Sequence, residues 1–211
     1  MNTVAIIGTG RLGSKLAALF AAWYPEVLWA GRDIEKTRRL VAAQSLPNLI
    51  PVTVAEALEK AQLIIGAIWY DQERDFVTRY REPLKNKIYI NVSVPFNETF
   101  DDLMLPYGQS AAENIQELLP ETAVLGAFKT IYWEVFGYAE EREGPLPDIY
   151  LTGNDPALRS EVAWWLHRLP YRVVDAGDLR ENRTLERMTL LARKMGKRLG
   201  TYPVIGFYLW G

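Results

Sequence analysis

The residues best placed to do chemistry stand at the start of the chain, in Gly8-Thr9-Gly10-Arg11-Leu12-Gly13. The spacing is GxGxxG. It follows an apolar run over residues 3–7 and opens a segment of helical character over residues 12–23. In that setting each glycine has a purpose. The first, Gly8, allows a tight turn, Gly10 lets the backbone come close to a pyrophosphate, and Gly13 lets the helix pack against the strand. The beginning of a helix also offers free N–H groups and the positive end of a dipole to an anion. The motif predicts a dinucleotide site, against the plainer alternative of a glycine turn that holds nothing.

The next residues with a chemical choice to make are Gly31-Arg32-Asp33, at the exit of a second apolar run over residues 27–30. An NAD site places an acidic side chain about 20 residues beyond the glycines, to hold the ribose hydroxyls. Here arginine takes that place, with Lys36, Arg38 and Arg39 close behind. A guanidinium matches a 2′-phosphate through a forked pair of charged hydrogen bonds. NADP is therefore expected. Asp33 could accept from a 2′-hydroxyl, or could cap the helix that begins there. Arg38 and Arg39 read as solvated surface.

Composition removes several other chemistries. The 211 residues include no cysteine and a single histidine, His167, so neither a thiolate nucleophile nor a zinc–thiolate or multi-histidine metal site is expected. Lys and Arg number 24 against 26 Asp and Glu, and this balance lacks the basic excess of a nucleic-acid binder. No stretch approaches the roughly 20 apolar residues of a membrane span. The first residues have no basic region of a secretory signal, and a cytoplasmic location is expected.

The elements that must position these groups follow from the pattern of apolar runs. Such runs cover residues 3–7, 27–30, 49–52, 63–68, 87–92, 123–128, 149–152 and 172–174. Several are continuously apolar, as strands buried on both faces should be, and the first five leave room for helical crossovers. The fold class is α/β: a doubly wound Rossmann-type, mostly parallel sheet with a helical C-terminal extension. Thr53 with Glu56 and Ser110 with Glu113 fit capping boxes, and Asp155-Pro156 fits a cap followed by proline. Residues 158–169 place Val162, Trp165, Leu166 and Leu169 on one face. A last long helix is expected over residues 182–199, with Leu185, Met188, Leu191, Ala192 and Met195 inward and a basic outer face. Residues 139–148 read as a surface loop, or as a flap near a site. The expected division is a dinucleotide-binding domain over 1–180 and a helical extension over 181–211.

Taken together, these motifs resemble the NADPH-dependent reductases of the deazaflavin coenzyme F420, and their relatives in the cytoplasmic NADPH-oxidising domain of the STEAP metalloreductases. The resemblance runs nearly end to end. It is carried by GTGRLG, by AGRDIEK, by Asn91-Val92-Ser93-Val94-Pro95, and by Ser110-Ala111-Ala112-Glu113. It continues in Ala127-Phe128-Lys129-Thr130-Ile131 and Val174-Asp175-Ala176-Gly177. It implies that Thr9, Gly10, Arg11 and Leu12 hold the pyrophosphate, and that Arg32 with Lys36 holds the 2′-phosphate. It implies that Ile68, Trp69, Val94 and Pro95 pack near the ribose and nicotinamide, that a flavin-like ring lies across the nicotinamide, and that the protein is a homodimer. The chain departs from the family's usual residues at Gly31 (serine), Trp69 (proline) and Lys129 (histidine or asparagine).

The expected reaction is hydride transfer between NADPH and a flavin-like acceptor, coenzyme F420, FMN or FAD. Such transfer needs alignment more than acid–base groups. Lys129 could neutralise an anionic ring or donate a proton, or could be a snorkelling surface lysine. Trp69, Tyr70, Tyr132 and Trp133 could wall a flat ring or simply pack. His167 reads as structural, and the aromatic tail over 202–210 as packing. Two alternatives stay open: a reductase of a small imine or carbonyl, and a non-catalytic NADP(H)-binding redox sensor.

Overall fold

The computed structural model describes residues 3–137 and 144–210. Residues 139–143, part of the expected loop or flap, lie outside the described residues. The strands are β1 (Thr3–Ile7), β2 (Glu26–Ala30), β3 (Leu49–Val52), β4 (Leu63–Gly66), β5 (Ile88–Asn91), β6 (Ala123–Gly126), β7 (Ile149–Gly153) and β8 (Val173–Asp175). They form one sheet in the order β3-β2-β1-β4-β5-β6-β7-β8. Pairing is parallel from β3 to β6, and β7 runs antiparallel to β6. The order reverses between β1 and β4, which opens a crevice at the carboxyl edge where an open α/β sheet takes its ligand.

The central strands are buried on both faces, so their side chains sort by alternation. Val4 and Ile6 enter one core, with α1 (Arg11–Trp23) and α7 (Pro156–Leu166); Ala5 and Ile7 enter the other, with α3 (Val54–Lys60), α4 (Tyr70–Arg79), α5 (Arg81–Leu84) and α6 (Ala111–Leu118). Leu40 and Val41 of α2 (Ile34–Gln44) pack against the first core. The sheet is thus doubly wound, as expected. Several runs end earlier as strands than their apolar patterns do. β4 stops at Gly66 and β6 at Gly126, each followed by one more N–H bond to the neighbouring strand, from Ala67 to Ile7 O and from Ala127 to Asn91 O.

The caps follow the sequence closely. Thr53 and Glu56 make the full reciprocal box, and Asp155 accepts from Ala157 and Leu158 N–H at the head of α7. Ser110 accepts from Glu113 N–H, but the Glu113 carboxylate takes the Ser110 hydroxyl and Arg183 instead of closing the box. Asp33 is the N-cap of α2, accepting from Lys36 N–H at 3.0 Å. The last helix, α8, spans Asn182–Leu199, as predicted. Its buried face is rotated from the expected one. Leu185 and Ala192 are buried, but Leu191 and Met195 are exposed, and the covered stripe includes Asn182, Glu186 and Thr189. A hydrophobic criterion misplaces this face because α8 docks through polar contacts. Arg187 donates to Leu105 O and lies 3.6 Å from the Tyr107 ring centre, and Arg193 donates to Phe100 O.

The aromatic tail packs across the fold. Tyr132 N–H donates to Ile205 O, Asp148 N–H donates to Phe207 O, and Leu209 N–H donates to the Asp148 carboxylate at 2.6 Å. His167 is the exposed C-cap of α7. Among the described residues, no helix is long and apolar enough to cross a membrane.

Adjacent tryptophans on α7 separate burial from residue type. Trp165 is 1% exposed and Trp164 is 70% exposed. Trp165→Ala should lower the unfolding free energy by about 3–5 kcal/mol, through lost burial and the cavity left behind. Trp164→Ala should cost less than about 0.5 kcal/mol. Urea titration of the two variants checks this.

Candidate active site at the carboxyl edge of the sheet

The glycine turn connects β1 to α1 under tight constraint. Gly8 sits at φ +125°, and a Cβ there would lie 2.1 Å from Ala67 O; at Gly13 it would lie 2.1 Å from Gly8 O. Two of the three glycines are therefore required by backbone contact alone. The third is different. A Cβ at Gly10 meets nothing within 4 Å, and Gly10, the N-cap of α1, makes no side-chain cap hydrogen bond. The first-turn N–H groups of α1 thus lack a capping side chain at an open position, which fits a bound diphosphate. Arg11 is exposed and lies 5.5 Å from the Trp133 ring centre, and Leu12 packs against the core.

At the end of β2, Arg32 is exposed and makes no hydrogen bond or ion pair with another of the described residues; Lys36 is exposed beside it on α2. Arg38 pairs with Glu35 and belongs to the surface. The glycine before Arg32 has a local cause. A Cβ at Gly31 would fall 2.6 Å from Thr9 Cγ2 and 3.1 Å from Thr9 Oγ1, so the Thr9 side chain of the glycine turn takes the space a serine would need. Asp33 is engaged as a cap, which leaves the cationic groups as the distinctive feature of this edge.

On the other half of the edge, β4 leads through Ile68, partly buried, to Trp69, which is 59% exposed at the N-cap of α4. Val94 and Pro95 follow β5 and are buried. The Trp69 ring lies 5.5 Å from Phe100 edge-on, and Phe96 lies 5.8 Å from Phe100. Of the four aromatic residues proposed as ring walls, Trp69 and Trp133 keep exposed area. Tyr70 and Tyr132 are buried, with hydroxyls bonded to Asn114 and to Thr189 O. Phe96 and Phe100 carry no sequence signal that marks them. They reach this place because the 95–105 segment folds back, with Met104 N–H donating to Pro95 O.

Lys129 differs most from its expectation. It is no surface lysine: it is 5% exposed, and its ammonium donates to Asn91 Oδ1, to Ser93 O and to Glu186 Oε1 at 3.0 Å. All three N–H donors are engaged, so no proton is left free for an acceptor ring in this arrangement. Phe128, immediately before it, has φ +61°, a strained conformation for a bulky residue, and this turn sends the lysine inward. Glu186 also accepts from Ala111 N–H through both oxygens, at 3.0 and 3.1 Å. Burial pushes the Glu186 carboxyl up, against the pull of Lys129 and the Ala111 N–H.

A second carboxylate joins the same network and was not singled out in the sequence. Glu73 of α4 is fully buried and accepts from Tyr89 Oη at 2.8 Å, Asn91 Nδ2 at 2.7 Å and Ser93 Oγ. Gly66 makes this possible: a Cβ there would lie 1.9 Å from Tyr89 Oη and 2.8 Å from Glu73 Oε1. Burial pushes the Glu73 carboxyl up to about 7, opposed by those three hydrogen bonds and by Lys129. An acidic residue in the first turn of a helix is ordinarily read as a dipole partner in solvent, which is why the sequence does not distinguish it.

Lys129→Met should lower the unfolding free energy by about 3–5 kcal/mol, because it leaves Glu186 buried without its cation. Adding Glu186→Gln should recover at least half of that loss. Urea unfolding of the single and double variants checks the pairing.

Comparison with known proteins adds the relationship. Residues 3–95 match the family described as NADP oxidoreductase, coenzyme F420-dependent. The F420-dependent NADP reductase of Methanocaldococcus jannaschii is 27% identical over 205 residues, covering 90% of each chain. That of Methanothermobacter marburgensis is 27% identical over 209 residues, again covering 90% of each. In fold, the chain matches a protein of Arthrobacter sp. fb24, provisionally named an F420-dependent NADP-reductase, with TM-score 0.87 at 23% identity over 99% of both chains. An imine reductase of Bacillus cereus shares the fold at TM-score 0.64 and 19% identity, over 94% of this chain and 62% of that one. Through the glycine turn, the matched 3–95 segment and a likeness that runs nearly the whole chain, this protein is similar to the coenzyme F420-dependent NADP oxidoreductases.

Proposed function

We propose that the protein transfers a hydride between NADPH and the deazaflavin ring of coenzyme F420. The observation that carries the reading is the pairing of an uncapped helix start at Gly10 with the exposed, unpaired Arg32 one strand away. Together they offer a diphosphate seat and a 2′-phosphate seat on one edge. Thr9, Gly10, Arg11 and Leu12 take the pyrophosphate, Arg32 and Lys36 the 2′-phosphate. Ile68, Trp69, Val94 and Pro95 then line the ribose and nicotinamide half. The hydride leaves the dihydronicotinamide with its two electrons, and a solvent proton completes reduction of the acceptor. The protein supplies alignment, as expected when both reacting rings carry their own reactivity. The exposed ring of Trp69 and the half-buried ring of Trp133 favour a flat acceptor over a small imine. Leu191, Met195 and Leu199, exposed on α8, support a homodimer.

Arg32→Ala should raise the KM for NADPH roughly tenfold to a hundredfold and change that for NADH much less, since one charge-assisted contact of about 1.5–3 kcal/mol is lost. Equal losses with both nucleotides would remove the 2′-phosphate role. NADPH oxidation followed by absorbance should be rapid with F420, and slower with FMN, FAD or small imines. Saturable NADPH binding without turnover on any acceptor would make the protein a sensor.

A further inference from the structure

NADP⁺ and NADPH differ at the nicotinamide by one positive charge, because loss of the hydride turns a neutral ring into a cation. A fixed charge behind the wall of the ring site therefore discriminates between the two forms, and more strongly where the wall excludes water. The wall formed by residues 91–95 has such charges behind it. Asn91 and Ser93 are buried and tied on one side to Glu73 and on the other to Lys129. Lys129 is shared with Glu186. The network holds two carboxylates and one ammonium, so with both acids ionised it carries one net negative charge.

We infer that Glu73 is a positioning residue whose buried charge, together with Lys129 and Glu186, makes the site favour NADP⁺ over NADPH. The inference rests on the reading that lays the nicotinamide against Val94 and Pro95. Glu73 is sealed from solvent and does not itself touch substrate. It acts through the Asn91 and Ser93 side chains it holds and through its field. The groups that face it are Tyr89 of β5, Asn91 and Ser93 beyond it, Lys129 after β6 and Glu186 of α8. On its own helix, the Tyr70 phenol interacts with it electrostatically. Burial raises the Glu73 carboxyl to about 7, so ionisation of Glu73 adds one negative charge to the network as pH rises through neutrality. The bias toward NADP⁺ should accordingly strengthen as pH rises through neutrality.

The test is a fluorescence titration of the full chain with NADPH, with NADP⁺ as competitor, at pH 6, 7 and 8. In the wild type the affinity ratio should move toward NADP⁺ by about tenfold between pH 6 and 8, the size of a single-charge interaction across protein. The 2′-phosphate titrates near about pH 6, but both nucleotides carry it and it cancels in the ratio. Glu73→Gln keeps the shape: its carbonyl can accept from Asn91 and Ser93, and its amide can donate to Tyr89 Oη. Its ratio should be flat with pH and equal to that of the wild type at pH 6. Unchanged ratios and pH dependence in the variant, or equal weakening of both nucleotides, would overturn the inference. If the variant fails to fold, the wild-type series decides alone, and a flat ratio from pH 6 to 8 overturns it. Absence of saturable binding of either nucleotide to the wild type would instead remove the cofactor reading, and this inference with it.

Discussion

An ammonium ion held away from water needs a complete set of acceptors, and Lys129 draws its set from separate parts of the chain. Asn91 and Ser93 come from the exit of β5, and Glu186 comes from α8. Glu186 in turn holds the start of α6 through Ala111 N–H. One buried charge thus fastens the last helix, a sheet edge and a helix start to each other. Breaking such a set leaves a charge stranded in a medium of low dielectric, a cost that few apolar contacts can match. The polar stripe on α8 and the strained turn at Phe128 are consequences of serving that charge.

The opposite half of the edge is organised by absence of side chains. Gly8 and Gly13 lack a Cβ because Ala67 O and Gly8 O occupy the space, and this close packing holds the head of α1 against the residues that leave β1 and β4. Gly66 lacks one so that Tyr89 and Glu73 can meet. The glycine turn and the charge network therefore adjoin at the same strand ends. One half of the edge presents the first-turn N–H groups of α1 and the exposed Arg32. The other holds the buried polar network of Glu73, Asn91, Ser93, Lys129 and Glu186.

Much of the fold was legible in the sequence. Strands buried on both faces are apolar at successive positions, and helix starts carry their own caps, so β1, α3 and α7 could be placed from local chemistry. The glycine turn was legible because its constraint is backbone sterics, and Arg32 because its position follows from the length of a βαβ unit. Local patterns failed where burial was polar. Leu191 and Met195 have the period of a core face, yet Glu186 and Thr189 are the residues that α8 buries.

The sequence by itself determined the doubly wound scaffold, the glycine turn and the cationic edge, since each depends on residues within one turn or one crossover. Only the tertiary structure decided what Lys129 and Glu73 do. A carboxylate in a first helical turn and a lysine after a strand look like solvated groups until distant segments close over them. Their partners lie 16 to 57 residues away in sequence, and no periodicity reports a hydrogen bond across that separation.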